Sequence, residues 1–228
     1  ASERAALAQF DAAIALDPDS AAAHAARARS LTAIANQYGK VGETAAMYDL
    51  AIAAAERAIA LAPRLADAHS TLGFTLFQGR LDARAARDPF DRSNELGAGE
   101  ATVQARFAQY AARCGRDVEA AAAMQRAVAR DPLNPLIHRA AGLVEYAARR
   151  FEAAIAPLQQ ALAMNPRMSR AQAAIGDALL GRRRRLDLCS QRPGPRPAAR
   201  RPADGRTARR ARLRLRPDPA ADFRAPPT

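Results

Sequence analysis

The 228-residue chain has no tryptophan, few aromatic residues and only two cysteines. Cys114 and Cys189 lie far apart and have neither the spacing of a metal site nor the number that a disulfide framework needs, which is typical of a reducing compartment. No apolar run approaches the roughly 18 to 20 residues that span a bilayer. The first residues also lack the charged-then-apolar order of a signal peptide. We therefore expect a cytoplasmic protein without a membrane span.

Sequence motifs of catalysis are missing as well. The chain contains no HExxH, no Gly-rich phosphate loop, no GxSxG and no CxxC pair. We therefore do not expect an enzyme, and we expect no metal, no cofactor and no small-molecule substrate.

Alanine is what the chain has in excess, with 62 residues among the 228. Because alanine is the best helix former and a poor strand former, this composition predicts an all-α fold whose helices approach one another closely.

The net charge of +12 is unevenly distributed along the chain. Residues 1–181 contain 20 basic and 19 acidic side chains, whereas residues 182–228 contain 15 and 4. The basic character therefore belongs to the last fifth of the chain, and the rest is nearly neutral.

One phrase recurs along residues 1–166: a helix-period apolar pattern that ends in proline. It occurs as FDAAIALDP (10–18), AAERAIALAP (54–63), AAMQRAVARDP (122–132) and APLQQALAMNP (156–166). A further copy, DPFDRSNELGA (88–98), has Ala98 in place of the proline. The last four copies then end at residues 63, 98, 132 and 166, at intervals of 35, 34 and 34 residues.

This pattern resembles the second helix of a tetratricopeptide repeat, which has small residues at positions 8, 20 and 27 and proline at position 32. The matching residues are Gly73, Gly142 and Gly176 at position 8; Ala6, Ala51, Ala86, Ala120 and Ala154 at position 20; Phe10, Phe90, Met124 and Leu158 at position 24; and Ala13, Ala58, Ala127 and Ala161 at position 27. The resemblance covers residues 3–180.

The resemblance implies an α-solenoid of antiparallel helix pairs wound into a right-handed superhelix, because each hairpin can bury its apolar face only on its neighbours. Its units are a half-repeat (1–18), repeats 19–63, 64–98, 99–132 and 133–166, and the first helix of a further repeat (167–181). The predicted helices are 3–16, 20–37, 44–61, 65–77, 82–96, 100–113, 117–130, 135–148, 151–163 and 169–180. Repeat 19–63 has 11 extra residues, so we expect both of its helices to be longer.

The three histidines, His24, His69 and His138, each follow a terminal proline by six residues and so occupy position 4. Large aromatic residues are common there in the family, and the resemblance therefore implies packing within the hairpin. Metal binding is not expected, because ligands must converge on one point whereas these residues recur along the stack.

The resemblance implies a protein-interaction scaffold that binds a peptide or partner protein in a concave groove lined by the first helix of each repeat. An extended or helical peptide with apolar anchors and some acidic residues would fit. The alternative for Phe74 and Phe77 is simple burial between repeats. The Lys and Asn residues that hold a C-terminal carboxylate in some family members are absent. The groove residues predicted are Arg29, Asp67, Ser70, Phe74, Phe77, Thr102, Arg106, Gln109, Arg113, Arg139, Leu143, Tyr146, Arg170 and Asp177.

Residues 182–228 interrupt the repeat, since prolines at 193, 195 and 197 exclude the second helix that should follow 169–180. Three interpretations remain open. The segment is a product of a frameshift or a wrongly assigned end, a disordered solvated tail, or a basic arm that binds nucleic acid or an anionic surface.

The repeats also resemble those appended to bacterial winged-helix transcriptional regulators and nucleotide cyclases. The chain does not begin with Met and starts within the repeat pattern. An alternative to a free-standing adaptor is therefore the C-terminal regulatory or assembly module of such a protein, with the effector domain upstream.

Overall fold

A computed structural model of the protein describes residues 3–38 and 42–190. Within these ranges the chain forms ten α-helices and no β-strand, which confirms the predicted all-α solenoid. The helices are α1 (Glu3–Leu16), α2 (Ala21–Tyr38), α3 (Glu43–Leu61), α4 (Ala66–Gly79), α5 (Arg87–Leu96), α6 (Ala101–Arg113), α7 (Asp117–Arg130), α8 (Pro135–Ala147), α9 (Phe151–Met164) and α10 (Ser169–Ser190). No helix in this part of the chain is both long enough and apolar enough to cross a membrane.

Four helical hairpins are stacked side by side. They pair α2 with α3, α4 with α5, α6 with α7, and α8 with α9. The first helices α2, α4, α6, α8 and α10 also contact one another in that order. At the two ends, α1 packs on α2, and α10 packs on α9 and α8.

Glycine at position 8 lets the helices of a hairpin approach closely. A Cβ atom added at Gly73 would lie 2.9 Å from ring carbons of Phe90, and one at Gly142 would lie 2.5 Å from Leu158 Cγ. Phe90 and Leu158, the residues at position 24, are completely buried in these contacts. These glycines therefore allow the close approach of paired helices that the sequence pattern predicts.

The core is built largely from alanine, with a few large side chains in the middle of the stack. Its main cluster contains Phe90, Phe107, Tyr110 and Met124 together with buried alanines of α6 and α7. The rings of Phe90 and Tyr110 stack with centroids 4.5 Å apart. The few aromatic residues are thus concentrated where α4 to α7 meet.

The helix bounds agree with the predictions to within about two residues, except at α5 and α10. As expected, α2 and α3 are long, with 18 and 19 residues. Helix α5 begins at Arg87 rather than at 82, because the Asp82 carboxylate accepts hydrogen bonds from the backbone N–H groups of Arg84 and Ala85 and holds a turn there.

Helix α10 continues to Ser190, well beyond the predicted end at residue 180. Residues 182–190, which the predicted boundary at 181 places in the basic tail, are helical. The physical reason is local, since this stretch contains no proline and is rich in Arg and Leu, which are good helix formers. The predictions for residues 191–228 lie outside the described residues.

Candidate functional site

The first helices surround a cavity of about 450 Å³ on the concave side of the solenoid. Its walls come from α2, α4, α6, α8 and α10. Eight of the fourteen predicted groove residues line it: Phe74, Thr102, Arg106, Gln109, Arg113, Arg139, Leu143 and Arg170.

A smaller cavity of about 170 Å³ adjoins the first and brings distant parts of the chain together. It is lined by Arg29 and Asn36 of α2, by Phe74 and Arg106, and by Arg170 of α10. Helices α2 and α10, which lie at opposite ends of the row of first helices, therefore border one opening. The stack curves around it.

Asp67 is the acidic residue of this surface and is shared by two arginines. Its carboxylate accepts a hydrogen bond from Arg29 and another from Arg106 Nη1 at 3.5 Å. The Arg106 side chain is only 20% exposed. Burial lowers the pKa of Arg106, Asp67 opposes this effect, and the neighbouring Arg29 adds to it. The Asp67 carboxylate is thus the ion-pair partner of two guanidinium groups.

The other arginines of the cavity form no ion pair with a carboxylate in the described part of the chain. They are Arg113, Arg139 and Arg170. Burial, and then the positive charge of Arg170, lower the pKa of Arg139. Because both causes disfavour the charged form, an anion entering the cavity would relieve an electrostatic cost that the unbound protein carries.

Aromatic rings support two of these guanidinium groups. Arg106 lies over the Phe74 ring at 5.6 Å from its centroid, and Arg113 lies over the Phe77 ring at 5.7 Å. Such stacking fixes the direction of a guanidinium group, both for Arg106, which is paired with Asp67, and for Arg113, which has no carboxylate partner among the described residues. Phe77 also packs edge-on against Tyr110 and lies behind the cavity wall, whereas Phe74 lines it.

The remaining predicted residues lie elsewhere. Ser70 is fully buried, and its hydroxyl has no hydrogen-bond partner within the described ranges. Tyr146 packs against Phe151 and lines a separate cavity of about 600 Å³ beside Gly181. Asp177 is exposed, on α10 outside the main cavity.

Several cavity residues were missed by the sequence analysis: Asn36, Gln78, Asn134, Leu136 and Ile137. Asn36 lies in the repeat with extra residues, where the register of positions is lost. Asn134 caps α8, where its side chain accepts a hydrogen bond from the N–H of Leu136. No signal in the sequence distinguishes a capping residue that also faces the groove from one that does not.

The histidines have a role that differs from the predicted packing. Each ring Nε2 lies within hydrogen-bond distance of the carbonyl oxygen of the proline six residues before it: 3.0 Å for His24, 2.9 Å for His69 and 2.7 Å for His138. In the other repeats Gln172 Nε2 donates to the Pro166 carbonyl, and Gln104 Nε2 donates to the Gly97 carbonyl. The side chain at position 4 therefore contacts a backbone carbonyl at the end of the preceding repeat. No group of acidic, histidine and cysteine side chains in the described residues could hold a metal ion.

No family model and no curated protein matches the sequence. Several solved structures share the fold. TTC0263, a thermophilic tetratricopeptide protein of Thermus thermophilus, aligns with 78% of this chain and 91% of its own at 19% identity and a TM-score of 0.62. PilW, a type IV pilus biogenesis factor, aligns with 83% of this chain and 86% of its own at 18% identity and a TM-score of 0.54.

The human IFIT1 dimer with m7Gppp-AAAA aligns with 82% of this chain at 16% identity and a TM-score of 0.65. The present chain spans 45% of the length of that protein. At these identities the likeness concerns the fold. Repeat register, hairpin packing and structural neighbours together show that the chain has the helical-repeat fold of tetratricopeptide proteins.

Proposed function

We propose that the protein is an interaction scaffold that holds an acidic segment of a partner protein in its concave cavity. The observation that supports this most directly is the charge of the cavity. Five arginines, Arg29, Arg106, Arg113, Arg139 and Arg170, line the two cavities, and the described lining residues include no Asp or Glu. The only carboxylate that pairs with any of these five among the described residues is Asp67, which binds Arg29 and Arg106. Guanidinium groups bind carboxylates through paired hydrogen bonds, so a segment with several Asp or Glu side chains matches this surface.

Apolar surface lies between the charges. Leu136 is 56% exposed at the cavity, and Leu143 and Phe74 are partly exposed beside it. Burying such side chains contributes about 25 cal/mol per Å² of apolar area, which supplies affinity that exposed ion pairs alone do not. An extended segment that alternates acidic and apolar residues would use both features.

A protein segment fits better than a single-stranded nucleic acid. Bases are held mainly by stacking on free aromatic faces. In this cavity Phe74 already lies beneath Arg106, and Phe77 is enclosed between Arg113 and Tyr110.

The test is a binding titration followed by fluorescence anisotropy, with fluorescein-labelled hexaglutamate as the probe and hexaglutamine as its uncharged counterpart. We expect hexaglutamate to bind, hexaglutamine not to bind, and the affinity to fall as salt screens the charges. The variant Arg139→Gln plus Arg170→Gln is expected to weaken binding about tenfold or more, which corresponds to ~1.4 kcal/mol.

The matched control is Arg64→Gln plus Arg130→Gln, which removes the same charge at exposed sites away from the cavity. It is expected to bind nearly as well as the unchanged protein. Equal loss in both variants would mean that net charge alone drives binding. Because IFIT1 was solved with PPP-AAAA, that oligonucleotide is a second probe. If it binds and hexaglutamate does not, the protein-segment proposal is wrong.

A further inference from the structure

The two ends of the solenoid are complementary halves of a repeat. Helix α1 is a second helix without its first helix among the described residues, and α10 is a first helix without its second. In the complete hairpins, glycine at position 8 of the first helix receives the side chain at position 24 of the second, as in the close contacts Gly73–Phe90 and Gly142–Leu158. Each end of the described solenoid has one member of that pair.

On α10, the face that would receive a second helix is open. No described atom lies within 4 Å of the place where a Cβ of Gly176 would be. Leu179 and Leu180 are 46% and 58% exposed on the following turn. Leu76, which has the same position in its repeat as Leu179, is instead packed against the main core cluster. Within residues 169–184 of α10, the buried residues are Ala171, Ala174 and Ala178, on the side turned to α8 and α9.

On α1, the face that would enter a hairpin is only partly covered. Ala6, Phe10 and Ala13, at positions 20, 24 and 27, are all partly exposed, and the helix has no fully buried residue. The residues at the same positions of α9 are Ala154, Leu158 and Ala161, and each has zero exposure. The difference follows from the absence of a position-8 surface opposite α1 within the described chain.

The charges on the two faces also match when Phe10 is placed on Gly176. In an antiparallel pair, a residue seven places before Phe10 and one seven places after Gly176 lie at the same height, since both steps cover about 10.5 Å of helix axis. Those residues are Glu3 and Arg183, with Arg182 and Arg184 on either side. Arg182 already pairs with Glu152 of α9, whereas Arg183 and Arg184 are exposed where α10 continues past the height at which the other first helices end.

We propose that α1 of one copy packs against α10 of a second copy, with Phe10 seated on Gly176, so that a complete hairpin forms between two chains. The contact joins two different surfaces, so each assembled pair keeps one free α1 and one free α10. Such a head-to-tail contact closes into a ring or continues as a filament. It also continues the row of first helices from one copy to the next, which extends the concave surface.

Sedimentation velocity of the full 228-residue chain over a range of concentrations tests this proposal. We expect concentration-dependent self-association beyond the dimer. Phe10→Asp removes one surface and Gly176→Arg removes the other, and each is expected to weaken self-association at least tenfold. An equimolar mixture of the two variants is expected to form a dimer and nothing larger, because each retains the surface that the other has lost.

Matched controls make the same chemical changes at exposed sites away from both ends. They are Leu133→Asp, at a leucine 81% exposed, and Gly99→Arg, at a glycine with open space around it. Both should associate like the unchanged protein. Circular dichroism confirms that each variant is folded, and Leu179→Arg serves as a second α10 variant on an already exposed side chain.

Three results would overturn the proposal. The first is that the unchanged protein remains a monomer at all concentrations. In that case the faces of α1 and α10 do not bind each other. The second is self-association that persists in both Gly176→Arg and Leu179→Arg. The third is a mixture of Phe10→Asp and Gly176→Arg that forms no dimer although both variants are folded.

Discussion

Alanine substitution of two equivalent glycines, Gly142 and Gly176, should change stability in opposite directions. Both occupy position 8 in the interior of a first helix, where replacement of glycine by alanine favours the helix by about 1 kcal/mol. Their surroundings differ. At Gly142 the new methyl group would lie 2.5 Å from Leu158 Cγ and 2.9 Å from the Ala154 carbonyl oxygen. At Gly176 it would meet no described atom within 4 Å.

The magnitudes follow from these contacts. Overpacking a close-packed site costs typically about 1 to 3 kcal/mol, and a backbone oxygen cannot move away without moving α9. We therefore expect Gly142→Ala to destabilise the protein by up to about 2 kcal/mol after the gain in helix propensity. Gly176→Ala should stabilise it by up to about 1 kcal/mol. For a domain of this size, the difference corresponds to melting temperatures that are about 5 to 10 °C apart.

The assay is urea denaturation followed by helical circular dichroism, in dilute protein so that association does not contribute. Gly73→Ala, opposite the ring of Phe90 at 2.9 Å, should behave like Gly142→Ala. The reasoning is refuted if Gly142→Ala is as stable as Gly176→Ala, since close approach at position 8 would then not limit the side chain.

Substitutions at three further residues test individual contacts by urea denaturation. His138→Ala should lower the free energy of unfolding by about 1 kcal/mol, whereas His138→Gln should restore much of it, because glutamine makes the equivalent bond in two other repeats; equal loss in both would contradict the hydrogen-bond role. Asp67→Asn leaves Arg106 without its counter-ion and should cost about 2 kcal/mol, and an unchanged stability would argue against that ion pair. Burial, followed by the nearby Cys114, raises the pKa of Tyr110 from 10 to about 12. Its contribution to stability should therefore be complete below pH 10 and be lost as the pH rises to 12, at up to about 1.4 kcal/mol per unit. Tyr110→Phe should reduce this loss of stability between pH 10 and 12. If the variant loses as much stability as the unchanged protein over this range, the role assigned to Tyr110 is wrong.

The repeat register could be predicted from sequence because it depends on residues whose effect is local. The prolines at the end of each recurring phrase coincide with helix ends, although Pro157 is accommodated inside α9, and a small residue is required wherever two helices cross closely. The resemblance thus implied close helix approach at Gly73 and Gly142, and the structure shows that Phe90 and Leu158 are the side chains that they meet. The late start of α5 was not, since it depends on the Asp82 side chain competing for backbone N–H groups.

The cavity was less accessible to sequence reasoning. Arg29 and Arg170 border one opening only because the curvature of several stacked hairpins brings α2 and α10 together, and the repeat pattern does not specify that curvature. The role of the histidines was missed for a related reason. Position 4 faces the preceding repeat as well as its own hairpin, and an imidazole suits either a packed or a hydrogen-bonded site.

The bond from position 4 to the end of the preceding repeat has a consequence for how such a chain can change in length. Each unit carries its own donor, as His69 and His138 do, and leaves its terminal carbonyl for whichever unit comes next. A duplication or deletion of a whole unit therefore creates a junction whose polar groups are already satisfied, whichever two units become neighbours. A deletion of half a unit leaves a carbonyl or a side chain without its partner, so gain and loss of whole units is the tolerated step.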